Sequence, residues 1–475
     1  MTPADWSRRT LLGATLAGLG GAAIAGDPAT YDQTFSSRHT GVFNGQRLDY
    51  EAVVEPIVIA DDMGRPAARV VTTSYLRSKA PRRQARPVIF GFAGGPSNAS
   101  RAYHMHMLGP RRITRPDDGD DGAPRLVDNP HALLDVADVV LVDPVETGFS
   151  RVLPGVDRRR YYNITTDTRS IAQVMSAWLK THGRDGSPRY VMGGSYGSVR
   201  ALRIGWDLRR SAPVDGVILT ANSTMIREMT GVIGQAASLP TQVMTALYHG
   251  RIDRAGRSDA AIADEAYSFA MGTYLPALAR IQDLPAAERA RLAGALQART
   301  SIAAALYLEH DLELSEDAFA TLLLKDRGLV LDDLLDGRST APAGQAPPPR
   351  GGEDRRLFDA YMRGELGVTY PMAAYRDAAP DTDGWTFEGP EGAARNDWGR
   401  LMREQLEANP RMRLLSANGY YDRTSLFGQA RQVFSRTRLP RDRIVVREYP
   451  GGHALYQTPQ TAAGLAQDIR RMLAS

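Results

Sequence analysis

Residues 193–197, Gly-Gly-Ser-Tyr-Gly, carry the strongest chemical signal in the chain. The spacing G-x-S-x-G follows a short apolar run at 189–192 and precedes a helical pattern at 199–209. In that context the outer glycines permit a sharp turn from strand to helix, which raises the serine hydroxyl above a sheet. The pattern predicts Ser195 as a nucleophile, and a tight turn without chemistry is the alternative.

A serine nucleophile needs a base and a carboxylate that orients the base. Asp422 follows a strand pattern at 413–416, and His453 follows the last strand pattern, at 444–446. Both loops would lie at the carboxyl edge of a parallel sheet, where sites of this kind form, and the order Ser, Asp, His fits such a site. We therefore expect a catalytic triad of Ser195, Asp422 and His453.

The other seven histidines fit the role of base less well, because none follows a strand late in the chain. His104 and His106 have the spacing H-x-H, which is too weak to indicate a metal site. No metal and no other cofactor is expected.

An acyl-transfer site also needs donors for the oxyanion. One is expected from the backbone N–H of Tyr196, the residue after the nucleophile, and the other from a loop after an earlier strand. The segment Gly94-Gly95-Pro96 follows the apolar run at 87–92, so the Gly95 N–H is the predicted second donor. Simple reversal of the chain is the alternative interpretation of this turn.

Short apolar runs alternate with helical patterns up to residue 222 and again after residue 396, which predicts an α/β fold with a mostly parallel sheet. Residues 26–47 are expected to be loop. A hairpin is predicted from strands at 50–59 and 68–76 around a turn at 61–64. The further predicted strands are 87–92, 136–142, 189–192, 214–219, 413–416 and 444–446, and the predicted helices of this part are 171–180, 199–209, 398–407 and 462–473.

Between these two parts the composition becomes rich in Ala, Leu, Arg and Glu, which predicts a helical insertion over 223–395. Its predicted helices are 258–278, 286–299 and 316–332, and a Pro- and Gly-rich loop is expected at 341–352. The core is therefore divided into 26–222 and 396–475.

Residues 1–25 have the features of an export signal. Arg8-Arg9 forms a twin-arginine pattern, followed by the apolar stretch 11–24 and a small-residue cleavage site at Ala23-Ile24-Ala25. The stretch is shorter than the ~20 residues of a spanning helix. Cleavage, use of the twin-arginine export machinery and a periplasmic or secreted location are predicted, with no stable membrane anchor; an uncleaved tether is the alternative.

Composition excludes several classes of protein. The chain has 475 residues, 43% hydrophobic and 24% charged, values typical of a globular protein. Its net charge is +4, but its 58 basic residues, all but three of them arginine, are scattered among 54 acidic ones without a basic stripe. A nucleic-acid partner is therefore not expected. The absence of cysteine excludes disulfides and a thiol nucleophile.

Taken in order, these motifs resemble the serine carboxypeptidase family of α/β-hydrolases, in its bacterial branch. Residues 92–96, Phe-Ala-Gly-Gly-Pro, resemble the family's N-G-G-P segment, and 143–150, Asp-Pro-Val-Glu-Thr-Gly-Phe-Ser, resemble D-(Q)-P-V-G-x-G-F-S. Ser195 lies in the counterpart of G-E-S-Y-G, and Asp422 and His453 lie in the counterparts of the segments that bear the family's acid and base. The resemblance implies an α/β-hydrolase fold with a helical lid insertion, and peptidase or related acyl-transfer chemistry.

Ala93, Gly94 and Gly194 are the predicted substrate-binding positions, and two of them depart from the family's pattern. Ala93 replaces the family's Asn before Gly94, and Gly194 replaces its Glu before the nucleophile. In the family these two side chains hold the C-terminal carboxylate of a peptide, and a buried carboxylate without partners costs several kcal/mol. Asn98, Arg101 and Arg200 are candidate replacement donors, although a structural role is expected of each. Glu146 also stands where the family usually has Gly.

The residues and the resemblance together predict a serine hydrolase that acts on a peptide through an acyl-enzyme. An esterase or acyltransferase is the second hypothesis, because the carboxylate clamp is missing. A binding protein that has lost catalysis on the same scaffold is the third, and a basic cytoplasmic binding module is the least favoured, because it accounts for neither the signal nor the triad.

Overall fold

A computed structural model describes residues 31–79, 86–114, 123–224, 231–345, 352–387 and 397–475. The predicted export signal, 1–25, lies outside these residues. No helix in the described part of the chain is both long and apolar enough to span a bilayer.

A ten-stranded mixed sheet forms the centre of the molecule, in the order β1-β2-β3-β7-β4-β9-β10-β13-β14, with β8 paired to β3. The strands from β7 to β14 along this path run parallel, and β1, β2, β3 and β8 pair antiparallel. The strands of this sheet are β1 Phe35–Phe43, β2 Gln46–Ala60, β3 Pro66–Arg77, β4 Val88–Phe92, β7 Asp138–Val142, β8 Arg151–Val152, β9 Arg189–Ser195, β10 Gly216–Asn222, β13 Arg413–Gly419 and β14 Ile444–Tyr449. The predicted α/β fold with a mostly parallel sheet is confirmed.

In the part of the chain that the structure describes, two small antiparallel pairs lie outside this sheet: β5 Arg111–Ile113 with β6 Leu126–Asp128, and β11 Leu329–Leu331 with β12 Thr340–Pro342. The α-helices within the described residues are α1 Arg101–Tyr103, α2 Ile164–Thr181, α3 Tyr196–Leu208, α4 Gly231–Tyr248, α5 Asp259–Phe269, α6 Leu275–Leu278, α7 Ala286–Thr300, α8 Ala304–Glu309, α9 Glu316–Leu322, α10 Gly352–Gly364, α11 Trp398–Ala408, α12 Phe427–Arg436 and α13 Pro459–Ala474.

The central strands are buried on both faces, as parallel strands covered by helices must be. On one face Ile89, Met192 and Ile218 pack with residues of α10 and α13, and on the other their neighbours in sequence pack with residues of α2, α3 and α11. Helices α4 to α9, with Tyr420 and Tyr421 after β13, form a third apolar cluster. The catalytic candidates therefore lie where the sheet meets this helical part.

Two sequence predictions are wrong. Residues 35–43 form strand β1 rather than loop, paired with β2 through a turn in which Asn44 and Gly45 have φ of 49° and 77°. Asn-Gly is the preferred two-residue hairpin turn, but most side chains of this edge strand are polar or small, so the strand carries little hydrophobic alternation. The helix predicted over 316–332 ends at Leu322, and Gly328, with φ of 69°, leads into β11.

Candidate active site

Ser195 is the last residue of β9 and occupies the N-cap position of α3, so it lies in a sharp turn between strand and helix. Its φ of 57° lies in the left-handed region, which is rare for a residue other than glycine. A Cβ added to Gly193 would lie 1.9 Å from the carbonyl oxygen of Gly197, and one added to Gly197 would lie 2.8 Å from that of Ala93. The outer glycines of the motif are therefore required by backbone packing, and the turn leaves Ser195 half-buried.

Asp422 and His453 meet in the loops that follow β13 and β14. The Nδ1 atom of His453 lies 2.8 Å from Oδ2 of Asp422. The other carboxylate oxygen of Asp422 accepts hydrogen bonds from the N–H groups of Thr424 and Ser425, both at 2.9 Å, and from the Thr424 hydroxyl at 2.7 Å. Asp422 is fully buried, so these donors replace the water that its charge has lost.

Electrostatics favours the ion pair. Burial lowers the pKa of His453, but the charge and hydrogen bond of Asp422 outweigh it, with a smaller contribution from Asp333, so the pKa is raised above its ordinary value. Burial likewise raises the pKa of Asp422, but His453 and the donors at Thr424 and Ser425 bring it below its ordinary value. Asp422 therefore stays ionised and favours the charged imidazolium that forms when a histidine accepts a proton.

Ser195 lies at the same carboxyl edge of the sheet as this pair, because β9, β10, β13 and β14 are consecutive parallel neighbours. No hydrogen bond joins the Ser195 hydroxyl to His453 in the described structure. Bonds of this kind are often long in a free enzyme and shorten when the substrate binds. The structure thus brings the predicted acid and base into contact and places the predicted nucleophile at the same edge.

Gly94 and Gly95 lie directly against the turn at Ser195. A Cβ on Gly94 would be 2.7 Å from Cβ of Ser195 and 2.9 Å from the backbone nitrogen of Tyr196. Gly95 has a φ of 115°, and its N–H donates to no atom among the described residues. The two amides predicted to bind an oxyanion, those of Gly95 and Tyr196, therefore belong to backbone segments in van der Waals contact.

The space beside Gly194 is occupied by Tyr103. A Cβ added to Gly194 would lie 1.9 Å from the Tyr103 hydroxyl oxygen and 2.9 Å from the Thr220 hydroxyl. These two hydroxyls are hydrogen-bonded to each other, and the Tyr103 side chain is buried. A neutral hydroxyl pair thus stands where the resemblance implies a carboxylic acid, and Ala93 offers no side-chain donor beside it.

Two of the three candidate replacement donors, Arg101 and Arg200, have side-chain partners elsewhere. Arg101 forms an ion pair with Asp377 at 2.6 Å, and Arg200 is fully buried with hydrogen bonds to backbone and to Asp167. Asn98 is exposed and forms an isolated bridge with Ala378. Glu146 is buried and paired with Arg376. Arg101, Arg200 and Glu146 therefore have structural roles, whereas Asn98 contributes its backbone to the bridge and leaves its side chain exposed.

His104 and His106 have separate partners rather than a common ligand. His104 is hydrogen-bonded to Tyr75, and burial lowers its pKa to about 3. His106 lies 3.4 Å from Asp354 and stacks on Tyr456. Within the described residues, no cluster of three or more His, Asp or Glu side chains could hold a metal ion.

A segment between α9 and α10, residues 334–337, connects the loop that carries Asp422 to the loop that carries His453. The N–H of His453 donates to the carbonyl of Leu335 at 2.7 Å, and the N–H of Gly337 donates to that of Tyr421 at 2.8 Å. The N–H of Arg423 donates to Leu334 at 3.2 Å. Sequence reasoning missed this contact, and it missed Tyr103 and Thr424 at the site, because no local pattern connects these positions.

Residues 74–205 match the family model described as serine carboxypeptidase. This segment runs from β3 into α3 and contains both Gly94-Gly95 and Ser195, and it ends before Asp422 and His453. The predicted resemblance to serine carboxypeptidases is thereby confirmed, and its bacterial branch stays a prediction. No curated protein sequence matches the chain.

One solved structure shares the fold over nearly the whole chain. Kex1(delta)p, a prohormone-processing carboxypeptidase from Saccharomyces cerevisiae, matches with a TM-score of 0.54 and 12% identity over 96% of this chain and 94% of its own. A proline iminopeptidase from Mycobacterium smegmatis has a TM-score of 0.37 and 14% identity, covering 89% of this chain and 99% of its own. The likeness to the carboxypeptidase establishes the predicted α/β-hydrolase fold.

We expect Gly194→Ala to destabilise the protein by about 1–3 kcal/mol, because the new methyl group overlaps the buried Tyr103 hydroxyl. Urea unfolding measures the change. Gly294→Ala is the matched control: Gly294 lies inside α7 with open space around it, so alanine there should stabilise the helix by up to ~1 kcal/mol. Adding Tyr103→Phe, which removes the overlapping oxygen, should recover part of the loss; no recovery would contradict the steric cause.

The pH profile of catalysis tests the role of Asp422. A histidine can accept a proton only as neutral imidazole, so with His453 as the base we expect the rate to fall as pH drops through the pKa of His453. The raised pKa places this fall at a higher pH than for an ordinary histidine. Asp422→Asn should move the fall to lower pH and reduce kcat by about 10⁴-fold. The measurement is kcat and kcat/KM of p-nitrophenyl acetate against pH.

Asp333→Asn is the control for this profile, because Asp333 also raises the pKa of His453 but does not contact it through a hydrogen bond. It should give a smaller downward shift and keep the plateau rate. An acid limb that does not move in Asp422→Asn would show that another group titrates.

Proposed function

We propose that the protein is a serine hydrolase in which Ser195 is the nucleophile, His453 the general base and Asp422 the residue that orients it. The family match and the fold support a hydrolase. The contact of 2.8 Å between His453 Nδ1 and buried Asp422 is the observation that carries the finer proposal, because it fixes the ring so that its Nε2 atom is free to accept a proton.

The reaction follows from these positions. His453 takes the proton of the Ser195 hydroxyl while the Ser195 oxygen attacks the carbonyl carbon of the substrate. The N–H groups of Gly95 and Tyr196 stabilise the negative charge that develops on the carbonyl oxygen. Protonated His453 then gives the proton to the leaving group. Water, deprotonated by the same histidine, hydrolyses the acyl-enzyme and restores the serine.

A peptide is the first proposed substrate, because of the match to serine carboxypeptidases. An ester hydrolase or acyltransferase is the second. The observation that favours it is the buried hydroxyl pair of Tyr103 and Thr220 beside Gly194, which offers a carboxylate no positive charge and leaves no room for an acidic side chain at that position.

We propose from the N-terminal sequence that the protein is exported. Arg8-Arg9 and the apolar stretch that follows support export by the twin-arginine machinery to the periplasm or beyond. Fusion of residues 1–30 to a reporter that is exported only when folded would test it. Loss of export when both arginines become lysine supports the proposal, and export that survives this change contradicts it.

Ser195→Ala should abolish covalent labelling by a fluorophosphonate probe, because the probe reacts with an activated serine. His453→Gln should slow labelling strongly, since it removes the base. Ser211→Ala, at an exposed serine beyond α3, is the control and should label like the wild type. Labelling that persists in Ser195→Ala would refute the nucleophile, and a wild-type protein that is not labelled would favour a binding protein on a hydrolase scaffold.

The missing clamp predicts a preference among substrates. The same blocked dipeptide, offered as a free acid and as its methyl ester, should be cleaved at least about 10-fold less efficiently as the acid, because a desolvated carboxylate without partners costs several kcal/mol. Values of kcat/KM from product analysis decide this. Efficient release of C-terminal residues from free acids would establish carboxypeptidase specificity and overturn the argument from Ala93 and Gly194.

A further inference from the structure

Arg200 is a fully buried arginine five residues after the nucleophile position, on α3. Its Nη1 donates to the carbonyl of Ala93 at 2.7 Å, and its Nη2 donates to that of Pro96 at 2.9 Å. Nε and Nη2 also donate to the two carboxylate oxygens of Asp167, at 2.8 and 3.2 Å. One side chain thus holds both ends of the segment that contains Gly94 and Gly95.

We propose that Arg200 is a positioning residue that fixes the Gly95 N–H relative to Ser195, an inference that rests on the proposed role of Ser195. Carbonyl and N–H of one peptide unit move together, because the peptide bond is planar. Fixing the carbonyl of Ala93 therefore fixes the N–H of Gly94, and fixing that of Pro96 restrains the chain on the other side of Gly95. The Gly95 N–H lies between these two carbonyl groups in the chain, and it is therefore restrained from both sides.

The guanidinium is itself held in place. Asp167, on α2, is buried and accepts a further hydrogen bond from the Tyr196 hydroxyl at 3.1 Å. The rings of Phe92 and Tyr196 lie 5.4 and 5.1 Å from the guanidinium carbon, a cation–π distance. Arg200 therefore joins the end of β4 to α2 and to the first residue of α3, whose N–H is the other proposed oxyanion donor.

Lysine cannot reproduce this arrangement. The planar guanidinium of Arg200 presents donors in fixed directions and serves Asp167 and two carbonyl groups at once, whereas an ammonium is a compact point charge. Arg200→Lys therefore keeps the positive charge beside Asp167 but loses at least one carbonyl contact. Gly95 would then be less restrained, and an error of about 1 Å in a catalytic group can cost about 100-fold in rate.

Arg184 provides a matched control at the opposite end of the sheet. It too is fully buried, it pairs with buried Asp138, and it donates to the backbone carbonyl of Arg86 at 2.7 Å. It precedes β9, and Arg86 precedes β4, so this pair lies at the start of the strands whose ends carry the proposed site. Arg184→Lys should disturb folding as Arg200→Lys does, without reaching the site.

The experiment compares the wild type, Ser195→Ala, Arg200→Lys and Arg184→Lys. It measures the rate of fluorophosphonate labelling, kcat and KM for p-nitrophenyl acetate, and the thermal midpoint. Both lysine variants should have a lowered midpoint. Of these two variants, only Arg200→Lys should lose about 10- to 100-fold in kcat and in labelling rate, with KM little changed, because the oxyanion is formed only during reaction. Ser195→Ala should show neither turnover nor labelling.

Equal kcat values for the two lysine variants, or a change in KM alone, would overturn the role of Arg200. A wild-type protein that is not labelled would instead overturn the proposed function. If Arg200→Lys does not fold, Arg200→Gln and Arg184→Gln take the places of the lysine variants. Failure of both Arg200 variants to fold, with both Arg184 variants folded, would assign Arg200 to stability alone.

Discussion

The close approach of two backbone segments at the carboxyl edge of the sheet is the constraint on which the site depends. The carbonyl oxygen of Gly194 would lie 2.5 Å from a Cβ on Gly94, and that of Gly197 would lie 1.9 Å from a Cβ on Gly193. Such contacts exclude side chains at these positions. They also bring the chain after β4 against the chain after β9. The Ser195 hydroxyl and the Gly95 N–H, which are far apart in the sequence, can therefore face the same carbonyl group of a substrate.

Buried ion pairs stabilise this approach from beneath the site and at the far end of the same strands. Asp167 with Arg200 and Asp138 with Arg184 are all nearly inaccessible to water. Taking charges out of water is costly unless each partner is fully hydrogen-bonded, and in both pairs the arginine also donates to backbone carbonyls. In both pairs the guanidinium thus connects backbone groups of one segment to a carboxylate of another.

The sequence was most informative where burial is two-sided. Strands β4, β7, β9, β10 and β13 are apolar runs because helices cover both faces. Ser195 ends one of these strands and Asp422 follows another, whereas His453 follows the edge strand β14, which is mostly half-buried. Strand β1 lies at the sheet edge, where pairing through backbone groups tolerates polar side chains, so its hydrophobic pattern is weak.

Positions that depend on tertiary contact could not be predicted. Tyr103 reaches Gly194 and Thr220 only because α1 packs over the ends of β9 and β10. The roles of Arg200 and Thr424 depend on which carbonyl or carboxylate lies nearby, and helical periodicity says nothing of that. The G-x-S-x-G spacing identifies a candidate serine, but it does not show which side chains lie beside Gly194. Only the structure shows that these are the neutral hydroxyls of Tyr103 and Thr220.

The contacts of Leu334, Leu335 and Gly337 with the acid and base loops have a consequence for protein engineering. These residues belong to the helical part, between α9 and α10, yet they accept or donate backbone hydrogen bonds at His453, Tyr421 and Arg423. A chimaera that exchanges the helical part at its outer boundaries would therefore also replace part of the support of the proposed acid–base pair. Crossover points that preserve residues 333–337 would change the rest of the helical part while keeping the hydrogen bonds that support this pair.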